Sequence, residues 1–132
     1  NSAIGKTVFT QRCALCHRAV KEGNLLGPDL VAVKANGVEK LLISILDPNR
    51  EVVANYMAYD VALKNGTTHT GLLGEETTTH IRIKLPLGQQ VLLPRAQVKS
   101  MSSGGKSLMP EGLEAGVSQQ QMADLLAFIT GL

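Results

Sequence analysis

Cys13-Ala14-Leu15-Cys16-His17 holds both cysteines of the chain and sets a histidine directly after the second. One helical turn brings two side chains three residues apart to the same side, and the next residue adds an imidazole. C-x-x-C-H is the spacing of covalent c-type haem attachment, with two sulfurs for two vinyl groups of one porphyrin and His17 beneath the iron. Three other uses compete. A thioredoxin-like dithiol wants the motif after a strand in a βαβ unit, whereas a predicted helix precedes it here. A structural zinc site needs four ligands, and with no second cysteine pair His69 and His80 could complete a set only by reaching from a predicted hairpin. A disulfide across two intervening residues would close a very small loop. Haem attachment is the reading adopted.

The rest of the composition is consistent with that reading. Phe9, Tyr56, Tyr59 and Phe128 are all the Phe and Tyr of the chain, and there is no Trp. A core this short of large side chains is easier to understand if a cofactor fills part of it. The 132 residues suit one ordinary domain, and 44% hydrophobic with 18% charged residues predict a globular core. A net charge of +2, evenly spread, leaves no nucleic-acid footprint. No apolar run approaches a membrane span, and no charged segment followed by an apolar one opens the chain as a signal peptide would.

Periodicity predicts the elements. Ile4, Val8 and Phe9 share a face of a helix from Ala3 to about Ala14, capped by Asn1 or Ser2. Gly23, Gly27 and Pro28 punctuate a loop. Val38, Leu41, Leu42, Ile45 and Leu46 form an amphipathic stripe, entered after Asn36-Gly37 and stopped by Asp47-Pro48. Alternation then replaces the helical period. Tyr59, Val61 and Leu63 lead to the turn dipeptide Asn65-Gly66, and Thr67 to Leu73 read as the return strand. Ile81, Ile83 and Leu85 alternate with Arg82 and Lys84 before Pro86-Leu87-Gly88 and Gln89 to Leu93, with Pro94 limiting that strand to an edge or an end. Ser118 and Gln121 make a capping box for a last helix striped by Met122, Leu125, Leu126 and Ile129, with Gly131 at its C-cap. The expected architecture is mainly α: one domain over 1–132, with a helical core of 1–56 and 102–132 and a small antiparallel β insertion of three or four strands at about 57–101.

Several of these segments resemble the class I cytochromes c. Gly5 and Phe9 precede the motif as in that family's N-terminal helix, where they pack against an aromatic of the C-terminal helix, here Phe128. Gly27-Pro28-Asp29-Leu30 is similar to the family's Gly-Pro-x-Leu step. The resemblance implies a class I-like helical core, a Pro28 carbonyl accepting the His17 Nδ1 hydrogen, and Leu30 packed on the haem. The chain also resembles the haem-binding CxxCH domains of large exported planctomycete and verrucomicrobial proteins, through Leu46 to Arg50 (Leu-Asp-Pro-Asn-Arg), a β insertion, and Met109 to Leu113 (Met-Pro-x-Gly-Leu).

Methionine is the distal ligand this resemblance implies. Met109, a loop residue braced by Pro110, is best placed. Met101 is its rival, Met57 could be core or surface, and Met122 belongs to the apolar stripe of the last helix. His69 and His80 read as solvated strand residues rather than ligands. Arg50 and Tyr56 are candidates for the haem carboxylates, since half-buried carboxylates need paired donors; an ordinary solvated arginine is the other reading of Arg50. Two motifs are decoys. Ser100 to Ser107 nearly spells a phosphate loop but lacks the first glycine and a following helix, and the sequon Asn65-Gly66-Thr67 is already explained as a turn.

The function expected is one-electron transfer by a single haem c held through Cys13 and Cys16, with His17 and Met109 as axial ligands and no catalytic constellation. The alternative is a haem sensor or peroxidase-like site with a labile or vacant sixth position. The partner expected is a redox protein or a tethered dehydrogenase domain, with no nucleic acid, no membrane span and a monomeric state. The place expected is the periplasm or another exported location, a signal peptide having been processed or the domain excised from a longer protein.

Overall fold

The computed structural model describes all residues from Asn1 to Leu132. They gather into two compact units: Asn1–Glu51 together with Met109–Leu132, and Val52–Leu108.

The first unit holds helices α1 (Ser2–Arg12), α2 (Leu30–Val33), α3 (Val38–Leu46) and α4 (Gln119–Thr130), with a minimal hairpin of β1 (Arg18–Ala19) and β2 (Glu22–Gly23). The Asn1 carboxamide oxygen accepts the amides of Ala3 and Ile4, which starts α1. Ser118 and Gln121 close a reciprocal capping box on α4. Helices α1 and α4 meet at Gly5, where a Cβ would lie 2.0 Å from the Asp124 carbonyl oxygen and 2.8 Å from Phe128 Cβ. Only glycine permits so close a crossing. One turn on, the buried Phe9 ring lies 5.6 Å from that of Phe128, tilted by 41°, an offset arrangement that aromatic quadrupoles favour. Val8, Phe9, Ala19, Leu30, Leu41, Ile45, Leu125, Leu126 and Ile129 form the core. Of the α3 stripe, Leu41 and Ile45 are buried, while Val38 and Leu46 remain 52% and 46% exposed.

The second unit is a five-stranded antiparallel sheet: β3 (Tyr59–Leu63), β4 (Thr68–Glu76), β5 (His80–Lys84), β6 (Gln90–Pro94) and β7 (Val98–Ser102), in the order β6-β5-β4-β3-β7. The first four strands form a meander, and β7 returns to pair with β3. At the first hairpin Gly66 has φ +89°, and the Asn65 side chain accepts the Thr67 amide. Val61, Leu63, Ile81, Ile83 and Leu93 make a second core.

The expected mainly α architecture with a class I-like helical core is therefore corrected. The chain is 34% helix and 27% strand, with five strands in one sheet beside four helices. The fifth strand explains part of the error. Every residue of β7 after Val98 is exposed, so it buries no alternating stripe and carries no period-2 signal. Its pairing with β3, from Asp60↔Ser102 to Leu63↔Val98, is long-range and leaves no local mark. The remainder of the error is one of proportion, because the α-helices are short, at 11, 4, 9 and 12 residues, and do not outweigh the sheet.

Candidate functional site

Cys13 caps α1, and its carbonyl accepts the amides of both Cys16 and His17 at 3.1 and 2.8 Å. The motif is thus one further turn beyond the helix end, with both thiols half-buried and neither in a disulfide. Burial, with Cys16 nearby and against the pull of Arg12, pushes the Cys13 thiol up to about 11. Burial also raises Cys16. Protonated thiols are poor nucleophiles, unlike the depressed cysteine of a redox dithiol.

The chain from Gly23 to Asp29 folds back over this turn. Asn24 donates through its side chain to the Ala14 carbonyl at 3.0 Å, and through its amide to the His17 carbonyl at 3.2 Å. The amides of Leu26 and Gly27 both reach the Cys16 carbonyl, at 3.0 and 2.7 Å. Gly27 then passes over the imidazole so closely that a Cβ would stand 2.5 Å from His17 Cε1. Gly23, at φ +92°, packs against the His17 carbonyl in the same way.

Next in the chain, the Pro28 carbonyl lies 2.8 Å from His17 Nδ1. A carbonyl only accepts, so Nδ1 carries the hydrogen and Nε2 the lone pair. Burial holds the His17 pKa below its ordinary value, partly offset by the Pro28 carbonyl, which keeps the ring neutral and able to ligate. Asp29 accepts Arg18 Nε and Nη2 on one oxygen, at 2.9 and 2.7 Å, and the Val31 amide on the other. Those hydrogen bonds, Arg18 first and Val31 second, hold its carboxyl below the usual range. Leu30 begins α2 and is buried in the first core.

Met109 belongs to the first unit, half-buried against the same core as Cys13, Leu42, Leu113 and Val117. Asn49 Nδ2 donates to Glu111 at 2.7 Å, which joins the Leu46–Arg50 segment to the loop that carries Met109. Arg50 is exposed at a turn where its amide donates to the Asp47 carbonyl. The other candidates stand in the second unit. Tyr56 lines an open cleft of about 460 Å³ with Asn55, Arg82 and Lys84. Met101 is exposed on the edge strand β7, His69 is on β4, and His80 begins β5 with its Nδ1 2.9 Å from the Thr79 hydroxyl.

Gly27, Gly23, Asn24 and the Arg18–Asp29 pair went unread as functional residues. Gly23 reads in sequence only as loop punctuation, and Gly27 as that and as the first residue of the Gly-Pro-x-Leu step, with no role over the imidazole. A glycine immediately before the proline that faces the histidine was the available signal for Gly27; nothing local singles out Arg18.

The donor set suits a covalently tethered haem. Two free thiols sit one turn apart, the adjoining imidazole has Nδ1 occupied and Nε2 available, and apolar side chains such as Leu42, Leu113 and Met109 stay half-exposed at the rim of the same core. No helix is long and apolar enough to cross a membrane. The family model described as Cytochrome c matches residues 2–132. No curated protein matches the chain.

Proposed function

The chain belongs to the cytochrome c family, and from that premise we propose that it is a single electron-transfer domain with one haem c, tethered through Cys13 and Cys16 and ligated by His17 and Met109. Membership in the family implies covalent c-type haem and haem-based electron transfer, and such carriers act with redox partners. When bound, the haem iron supplies reversible one-electron chemistry.

The observation that carries the proposal is the setting of His17. Its Nδ1 is committed to Pro28, its face is covered by Gly27, and its Nε2 lone pair is left to ligate. Ligating histidines characteristically donate their other nitrogen to such an acceptor, which fixes the ring and raises its basicity. Met109 supports the second axial position because it packs on the same core as Cys13, in a loop that Pro110 stiffens and the Asn49–Glu111 hydrogen bond anchors. Two protein ligands would leave no open coordination site, so the domain carries electrons rather than transforms a substrate. Leu30 packs toward the haem in this reading, and Arg50 supplies a donor to one of its carboxylates. The physiological setting proposed is an exported or periplasmic one, serving a separate or tethered redox protein.

The test is the ferric absorption spectrum of protein made with the haem-attachment machinery, beside its Met109→Ala variant. The wild type is expected to show the weak far-red methionine-to-iron charge-transfer band and the variant to lose it. A band that survives moves the ligand to Met101 or Met57. No band in either protein, with rapid carbon monoxide binding to the ferrous form, replaces the proposal with a sensor or peroxidase-like site.

A further inference from the structure

His17 and Arg18 are neighbours in the chain, and so are Pro28 and Asp29. The two pairs face each other as adjacent rungs: His17 Nδ1 on the Pro28 carbonyl at 2.8 Å, and Arg18 Nε and Nη2 on Asp29 Oδ2 at 2.9 and 2.7 Å. The Pro28 carbonyl lies in the plane of the Pro28–Asp29 peptide. Whatever holds Asp29 therefore aims that carbonyl. Asp29 is held on both oxygens, since Oδ1 accepts the Val31 amide at the start of α2. As a source of stability the ion pair is minor. Its side chains are 42% and 23% exposed, and solvent strongly screens a pair so placed. Its geometry is specific nonetheless, with two guanidinium N–H groups converging on one oxygen.

We infer that the Arg18–Asp29 pair is a positioning clamp on the axial histidine: it holds the Pro28 carbonyl against His17 Nδ1 and so sets the reduction potential of the haem that His17 ligates. The inference rests on the reading of His17 as an axial ligand. A firm Nδ1–H···O bond makes the imidazole more electron-rich and favours ferric iron. Loosening the clamp weakens that bond, makes His17 a poorer donor and raises the potential.

Redox titrations of the haem-loaded protein and of Asp29→Asn, Arg18→Met and the double variant test this. Asp29→Asn retains an oxygen for the Val31 amide while losing the acceptor for Arg18, so α2 keeps its cap. Simple charge effects would move the single variants in opposite directions, since one loses a negative and the other a positive charge. The clamp predicts that both rise, each by about three- to tenfold in the ferrous-to-ferric ratio at fixed poise, tenfold being about 59 mV for one electron. The double variant should rise no further than the larger single shift, because both changes break one contact. Arg18→Lys, which keeps one donor group, should fall between wild type and Arg18→Met. It also carries the test should Arg18→Met fail to fold. In the ferrous protein, the His17 Nδ1–H proton should exchange faster with solvent in each variant, by NMR.

Opposite shifts, or no shift and unchanged exchange, overturn the clamp and leave the proposed function standing. A wild-type protein with no covalent haem by intact mass, or one whose axial nitrogen ligand survives His17→Ala, overturns the reading of His17 and the clamp with it.

Discussion

At the scale of single residues, the site depends as much on what is missing from Gly27 as on what His17 presents. A methyl group there would meet the imidazole at 2.5 Å from Cε1, well inside contact distance. The obstacle is not the end of a flexible chain, because the half-buried ring is tied at Nδ1 to Pro28. Gly27→Ala is therefore expected to rotate or displace the ring. Measured as covalent haem per chain, its yield should fall several-fold, and the protein that does load should lose the axial-ligand spectrum of the wild type. Wild-type yield and spectrum in the variant would mean that the loop adjusts freely and does not define the ring. The motif could be read in sequence because its chemistry is contained in five consecutive residues. The glycine over the ring was legible only as a member of the Gly27-Pro28-Asp29-Leu30 step, because its role is a through-space distance between segments ten residues apart.

At the scale of elements, the crossing of α1 and α4 is the firmest joint in the first unit. In an open helix, replacing glycine by alanine adds stability by reducing the freedom of the unfolded chain, by about 0.4–1 kcal/mol. At Gly5 the sign reverses, because the new Cβ would stand 2.0 Å from backbone of α4. Gly5→Ala is expected to destabilise by about 1–3 kcal/mol, the usual cost of overpacking, read as a lower denaturant midpoint. A stabilised variant would show that the two helices separate without loss. The elements that sequence patterning predicted well are those whose signals are local. Asn1, Ser118 and Gln121 cap the helices they announce, and Ile81 and Ile83 alternate into a buried strand face. Strand β7 was missed because its stability comes from hydrogen bonds to β3 rather than from a side-chain pattern. The hairpin of β1 and β2 was missed because two-residue strands carry no period at all.

At the scale of the whole molecule, each compact unit has its own core, one helical and one built by the sheet. Ile83 is fully buried at the centre of the second. Ile83→Ala is expected to cost about 2–5 kcal/mol, appearing in hydrogen exchange as lost protection of β3, β5 and β6, the strands whose side chains share that cluster. Undiminished protection there would mean that the sheet does not depend on this core. The fold class was misjudged at this scale. The helical stripes and the resemblance to a helical family were both local or partial signals, and the number of strands in one sheet is neither. What the sequence determined by itself is local: a C-x-x-C-H motif of the kind the cytochrome c family implies, and where the capped helices and the alternating strands begin. These follow from residue identity and spacings of a few positions. The tertiary structure alone decided the strand count, the glycine laid across the imidazole, the meeting of Asn49 with Glu111 and the pairing of Arg18 with Asp29. Each of those joins segments brought together only by folding, and a contact between distant residues has no period, cap or turn of its own to announce it.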